Sequence, residues 1–335
     1  MRSSEAGALA ARPAGSPFDA LLACTACGGS LAGGACRGCR ATYAEDGGIL
    51  RLKLDGDPRT EAVRRFYEAA PFPGYPPRDS LAGLRARAER SAFARLLDQA
   101  IPGDARIAEV GCGTGQMSLY LARADRTVVG ADLTLASLRL AEAARRRFGL
   151  DQARFVESDL RRPGLKAGAF DVVYCSGVLH HTPRPREAFA QVARLARPGG
   201  MIVVGLYNAV ARLPLRLRRA AAHLSGYRWI PFDPVLRDRA HEPARREAWL
   251  RDQYLHPEEH RHTAGEVLRW FRDNGVAFVR AYPSAQVHDE APDDLFASQS
   301  DAWAPERWLA QLGWITSLGH EGGLFVMVGR RLGAP

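Results

Sequence analysis

From residue 105 the chain alternates apolar, strand-like runs with helix-like stretches, and this alternation limits the fold more than any other feature. ARIAEVG (105–111), RTVVGADL (126–133), ARFVESDL (153–160), FDVVYCS (170–176) and MIVVGLYN (201–208) read as strands. Residues 116–124, 134–148 and 185–196 read as the helices between them. Repeated βα units imply a parallel sheet with helices on both faces, so the expected class is α/β. Two more strands are expected at 276–282 and 321–331. A capping box, Thr263 with Glu266, opens the helix before the first of them, and Gly275 ends it.

The first βα junction reads EVGCGTGQ (109–116). Gly111, Gly113 and Gly115 let the backbone turn sharply and let a ligand approach without a Cβ in the way. This context suits a nucleotide-like cofactor in a doubly wound sheet. The dinucleotide pattern G-x-G-x-x-G/A is not met, because position 116 is glutamine and the third glycine comes one residue early. No Gly-Lys-Ser/Thr follows, so the phosphate-binding P-loop is absent too. Glu109 at the strand end would repel a pyrophosphate but suits a cofactor carrying a cationic amino acid. Asp132, 21 residues after Gly111, ends the second strand, where a carboxylate can accept both ribose hydroxyls. Asp159 ends the third strand, placed for an exocyclic amine of adenine.

EVGCGTGQ, VVGADLT, VESDL, FDVVYCSGVLHHTPRP and LARPGGMIVVGLYN together resemble the successive motifs of class I S-adenosylmethionine-dependent methyltransferases. The likeness is greatest to the branch with the ubiquinone and menaquinone methyltransferases (methyltransferase type 11 domains). It covers about residues 100–210. It implies a Rossmann-like seven-stranded sheet closed by an antiparallel hairpin, 276–282 with 321–331, and S-adenosyl-L-methionine as cofactor. By this resemblance Glu109 and the loop Gly111, Cys112, Gly113, Thr114, Gly115, Gln116 hold the methionine moiety. Asp132 and Leu133 hold the ribose, Asp159 and Leu160 flank adenine, and Ser176, Val178 and His181 line the floor beside the transferring methyl. His180 and His181 lie just past the fourth strand, and either is a candidate general base; the alternative is that they cap the loop or pack on the cofactor.

Four cysteines form a separate pattern, Cys24-x2-Cys27-x8-Cys36-x2-Cys39. Two such knuckles suit a closed tetrahedral Zn²⁺ site. Two disulfides are the alternative, which an intracellular setting disfavours. The module resembles zinc ribbons found ahead of some methyltransferase domains, including an rRNA guanine methyltransferase family. In that family the second knuckle differs and the spacer is longer, which weakens the carry-over of an RNA substrate.

The expected organisation is a flexible tail (1–19), a zinc-ribbon module (20–52), a helical cap or lid (60–100, with helices at 60–70 and 80–100), and a methyltransferase domain (101–335). Helical or polar insertions fall at 209–262 and 283–320. As a lid this segment brings Tyr67, Phe72 and Tyr75 toward the substrate, and the alternative is that its aromatics form a satellite core. Tyr207, His256 and His260 are further pocket candidates, with surface or capping roles as the alternative for the histidines. HPEEHRHT (256–263) lacks the HExxH spacing of a metal site. The helix LPLRLRRAAAHL carries Leu213, Leu217 and Leu224 on one stripe beside arginines. It reads as a packed helix, with membrane contact as the alternative.

No apolar run reaches the roughly 20 residues that span a bilayer, and the N-terminus lacks a signal-peptide core, so a cytoplasmic protein is expected. The net charge of +9 comes from arginine, which can serve nucleic acid or a solvated surface. Three functions remain open: methyl transfer to an O, N or C atom of a small molecule, methylation of an RNA base gripped by the ribbon and arginines, or a non-catalytic cofactor-binding scaffold. The small molecule is favoured as partner. No N/D-P-P-Y/F motif of exocyclic-amine methyltransferases is present, and no basic-aromatic cluster reads as an RNA site. The sequence does not give the oligomeric state.

Overall fold

The computed structural model describes residues 17–53, 57–72, 80–123, 125–226, 230, 233, 236–237, 243–287, 293–318 and 322–333. The expected tail falls outside them as far as residue 16, whereas Phe18 is already buried in the core. Eleven strands occur among these residues: β1 Leu31–Ala32, β2 Ala35–Cys36, β3 Glu45–Asp46, β4 Ile49–Arg51, β5 Arg106–Val110, β6 Thr127–Asp132, β7 Ala153–Glu157, β8 Phe170–Ser176, β9 Ala196–Tyr207, β10 Val276–Tyr282 and β11 Leu324–Arg331.

Nine of them join one sheet in the order β10-β11-β9-β8-β5-β6-β7-β4-β3. Strands β5 to β9 are mutually parallel, and β11 runs against both β9 and β10. The seven expected strands are therefore present, with the expected antiparallel closure. The sheet is larger than expected because the cysteine module supplies two more strands. Leu50 and Arg51 of β4 pair in parallel with Val156 and Glu157 of β7, and β3 follows as the edge. Three residues of β4 are too few to show a period in the sequence.

Side chains alternate across the sheet, as a pleated strand requires. Ile107, Val128, Phe155, Val172 and Val203 face one layer, with Leu97, Leu119 and Leu138 of helices Ala92–Ala100, Gln116–Leu121 and Leu135–Phe148. Ala108, Val129, Val156, Val173 and Ile202 face the other, with Phe189 and Val192 of helix Pro185–Leu195 and Phe271 of helix Ala264–Asp273. The sheet is thus buried on both sides, the usual state of parallel strands. The strand order reverses at β5, which lies between β6 and β8. In such sheets ligands bind beyond the carboxyl ends of the strands at this reversal.

Several local expectations change in detail. The single helix expected over 80–100 is two, Leu81–Ala88 and Ala92–Ala100, because the Ser91 hydroxyl accepts from Ala94 N and starts a new helix. The capping box at Thr263 is half formed. Thr263 Oγ1 accepts from Glu266 N, but the Glu266 carboxylate turns to His262 Nδ1 at 3.0 Å. Helix Leu213–Leu224 keeps Leu215 and Ala222 inside and leaves Leu213, Leu217 and Leu224 exposed. Among the described residues no helix is long and apolar enough to cross a membrane.

Candidate active site

A cavity of about 410 Å³ opens where the sheet order reverses. Its floor is the first βα junction, whose glycines are conformationally required. Gly111, Gly113 and Gly115 all have positive φ (78°, 52° and 76°). A Cβ on Gly111 would lie 2.1 Å from Val178 Cγ2, and one on Gly115 would lie 2.6 Å from Ala141 Cβ. Gly111 and Gly113 border the cavity directly, whereas Cys112, Thr114, Gly115 and Gln116 do not. The Thr114 hydroxyl and the Gln116 amide nitrogen are buried without partners among the described residues.

The three acids expected around this loop occupy different settings. Asp132 borders the cavity with its carboxylate already fixed. One oxygen accepts from Gly113 N at 2.8 Å, and the other from Thr134 N and Oγ1 at 2.9 and 2.8 Å. Burial raises its pKa, against those hydrogen bonds. Asp159 also borders the cavity, two residues past the end of β7, and its carboxylate accepts from Arg161 Nε at 2.9 Å. Glu109 stands behind the loop rather than in the cavity wall, and the Ser118 hydroxyl donates to it. Burial pushes its carboxyl up to about 8. Leu133, Leu160, Ser176 and Val178 all border the cavity.

The two adjacent histidines part company. His181 borders the cavity and His180 does not. His180 stacks on the Tyr207 ring at 3.7 Å between centroids, and its Nδ1 accepts from Tyr207 N at 3.3 Å. Burial holds it well below the usual histidine range. The His181 Nδ1 lies 2.9 Å from Glu258 O. A carbonyl cannot donate, so Nδ1 carries the hydrogen and Nε2 the lone pair. That Nε2 lies 3.9 Å from Asp252 Oδ1. Burial lowers the His181 pKa, and Asp252 works in the opposite direction.

The cavity is roofed by helix Pro58–Ala69. Asp57 caps it by accepting from Arg59 N, Pro58 takes its first turn, and Thr60, Val63 and Tyr67 recur on one face toward the cavity. Phe72 follows on the same wall, and Tyr75 lies outside the described residues. The Tyr67 hydroxyl donates to Asp252 Oδ1 at 2.9 Å, and that of Tyr207 to Asp252 Oδ2 at 3.0 Å. Burial would raise the Asp252 carboxyl, but His181, His256 and the two hydroxyls hold it below its usual value. Tyr207 and His256 thus stand behind the cavity wall, the His256 ring tilted by 31° against that of His181 at 3.7 Å between centroids. His260 is paired instead with Glu258 at 2.8 Å, away from the cavity.

The four cysteine Sγ atoms lie within 4.8 Å of one another, and among the described residues no other group of His, Cys, Asp or Glu converges in this way. None is in a disulfide. A tetrahedral ion with Zn–S bonds of about 2.3 Å sets its sulfurs about 3.8 Å apart, and the Cys24–Cys39 and Cys27–Cys36 pairs are at 3.5 Å. Gly29 N and Gly38 N point at Cys27 and Cys36 Sγ at 3.4 and 3.3 Å.

Asp57, Thr60, Val63, Arg161 and Asp252 escaped the sequence reading. The first three had a signal in the helical recurrence of 60, 63 and 67 after an Asp-Pro start. Asp252 had none, because its partners Tyr67 and Tyr207 are 185 and 45 residues away.

Residues 108–204 match a family described as "Methyltransferase domain". A protein of Synechococcus sp. described as uncharacterized is 29% identical over 278 residues, covering 75% of this chain and 63% of that one. The ubiquinone biosynthesis O-methyltransferase of Methylococcus capsulatus is 32% identical over 168 residues, covering 50% of this chain and 61% of that one. Its counterpart in Hahella chejuensis is 37% identical over 115 residues, covering 32% and 45%. The chain spans less than two thirds of the length of each of these relatives.

Proposed function

We propose that this chain, which carries a class I S-adenosylmethionine-dependent methyltransferase domain, transfers the methyl group of S-adenosyl-L-methionine to an O, N or C nucleophile of a small molecule. One observation carries this reading: a single cavity joins the glycine loop, Asp132 and Asp159 to a roof of Thr60, Val63, Tyr67 and Phe72. Its volume of about 410 Å³ is in the range of small-molecule sites. A roof that excludes water serves transfer between small bound partners.

The bound sulfonium supplies an already activated methyl group. The residues then have only to bind, align and exclude water, and alignment alone is worth several kcal/mol. In this reading Gly111 and Gly113 give close backbone approach to the methionine moiety, with Glu109 held behind them by the Ser118 hydroxyl. Asp132, beside Leu133, accepts from the ribose hydroxyls, and Asp159 and Leu160 flank adenine. Ser176, Val178 and His181 face the acceptor end. Where the acceptor must lose a proton, His181 Nε2 receives it, and ionised Asp252 stabilises the resulting imidazolium. His180 is excluded from that role because its Nδ1 already accepts from the backbone and its ring is shut away from the cavity. The cysteine cluster fits a structural zinc ion, with all four positions filled by protein.

The test is methyl transfer from labelled S-adenosylmethionine into host extract, with small molecules and RNA counted separately. Label in the small-molecule fraction is expected. Label confined to RNA overturns the substrate class, and a protein that binds the cofactor without turnover in any fraction overturns the activity.

A further inference from the structure

The segment between β7 and Leu165 forms one wall of the cavity through Ser158, Asp159, Leu160 and Arg161. It folds tightly on itself: Ser158 Oγ donates to Pro163 O at 2.7 Å, and Arg162 N to Asp159 O at 2.9 Å. Its outer side rests on the cysteine module. Arg162 Nη1 donates to both Thr25 O and Ala26 O at 3.0 Å. Ala23 N donates to Gly164 O at 2.8 Å. Gly164, at φ +63°, sits so close that a Cβ would lie 2.8 Å from Leu52 Cδ1.

Thr25 and Ala26 are the two residues between Cys24 and Cys27. In such a knuckle both thiolates converge on one ion, so the ion fixes the path of the two residues between them. The carbonyls that Arg162 grips are therefore held in direction by the cluster, and through Arg162 the cluster holds Asp159 and Leu160.

We propose that Arg162 is a positioning residue that couples the first cysteine knuckle to the cofactor wall, so that an intact cysteine cluster tightens cofactor binding without touching the cofactor. This rests on the reading of 158–161 as part of the cofactor site. The module is then more than an appended fold, because it completes the far side of a wall whose near side faces the cavity.

The experiment uses the full zinc-loaded chain and measures S-adenosylhomocysteine affinity by calorimetry, with zinc content and melting temperature followed in parallel. Arg162→Ala is expected to weaken binding about tenfold, within the usual range of coupling between sites, with zinc retained. Arg162→Lys should recover part of the loss, since an ammonium can still donate to both carbonyls. Arg139→Ala is the control: it removes the contact of Asp46 with helix Leu135–Phe148, at 2.7 Å, but leaves the loop untouched, and affinity should hold. Removing zinc from the wild type with a chelator should weaken binding by a similar factor, and should add little in Arg162→Ala. Wild-type affinity in Arg162→Ala, or an equal loss in Arg139→Ala, overturns the coupling. A wild-type chain that binds no S-adenosylhomocysteine overturns instead the cofactor reading beneath it.

Discussion

The Asp132 carboxylate receives three hydrogen bonds from its own chain, so it is aimed before any ligand arrives. Asp132→Ala should therefore raise the dissociation constant for S-adenosylhomocysteine by about 10–100-fold, as expected for hydrogen bonds to a charged group worth about 1.5–3 kcal/mol. Calorimetry checks this; unchanged affinity would remove Asp132 from the site. His256 makes a second prediction. Its pKa falls to about 3 because burial disfavours the cation, with His181 adding to the effect. Between its ordinary value of 6.5 and about 3, the unfolded chain carries a proton that the folded chain refuses. Stability should thus be complete above that range and fall as the pH drops through it, by up to about 1.4 kcal/mol per pH unit. Urea midpoints from pH 7 to pH 4 should show a shallower fall in His256→Phe than in the wild type, and parallel curves would contradict the assignment. The glycines, Asp132 and Asp159 were legible as residues because a tight βα turn and a strand-end carboxylate each demand a particular residue type. The fate of His180 was not: the sequence made it the equal of His181, and only the register of Tyr207 beside it decides which ring faces the cavity.

Helix Pro58–Ala69 is latched rather than loosely placed over the cavity. Tyr67 reaches Asp252, Glu68 accepts from Ala136 N at 3.2 Å, and Arg59 pairs with Glu258 at 2.7 Å. The latch is unequal in its two halves. Tyr67→Phe removes one hydrogen bond and leaves Asp252 with Tyr207 and Gln253, so a loss of about 1 kcal/mol is expected. Asp252→Ala removes the acceptor of both tyrosine hydroxyls, while the Gln253 amide keeps the Tyr207 oxygen, and should cost about 3 kcal/mol. Denaturant melts of the two variants measure the contrast, and equal losses would show that Asp252 is not the hub. Periodicity revealed the βα elements, whose strands are buried nearly throughout, and this helix, whose Thr60, Val63 and Tyr67 share one face. It missed the break at Ser91, where a single cap divides one apolar pattern between two helices. It missed β3 and β4 because two or three residues carry no measurable period.

At the scale of the molecule, the cysteine module is part of the main sheet and not a bead ahead of it. Besides the pairing of β4 with β7, Leu52 N donates to Glu157 O at 2.8 Å, and Arg51 meets the buried Glu157 at 2.7 Å. Cys36→Ser should therefore do two things. Zinc per chain by elemental analysis should fall toward zero, and the Leu52 amide should exchange faster as this edge loosens. Retained zinc would refute the metal assignment, and an unchanged exchange rate would show that the edge holds without the cluster. The strands from β5 to β11 and their antiparallel closing pair were legible in the sequence; their order in the sheet was not. The docking of the module was not, since its partners lie more than a hundred residues away.

That separation bears on how the chain comes into being. Arg51 and its partner Glu157 are 106 residues apart, so a growing chain exposes the cysteine module long before β7 has been made. At about 5–20 residues per second, the module waits roughly 5–20 s for the strand that will receive it. During that interval a metal ion held by the four thiols would have to keep the module together without the sheet that later receives it. Metal supply at the moment of synthesis, rather than the later availability of cofactor, would then govern how much of the nascent chain reaches its finished form.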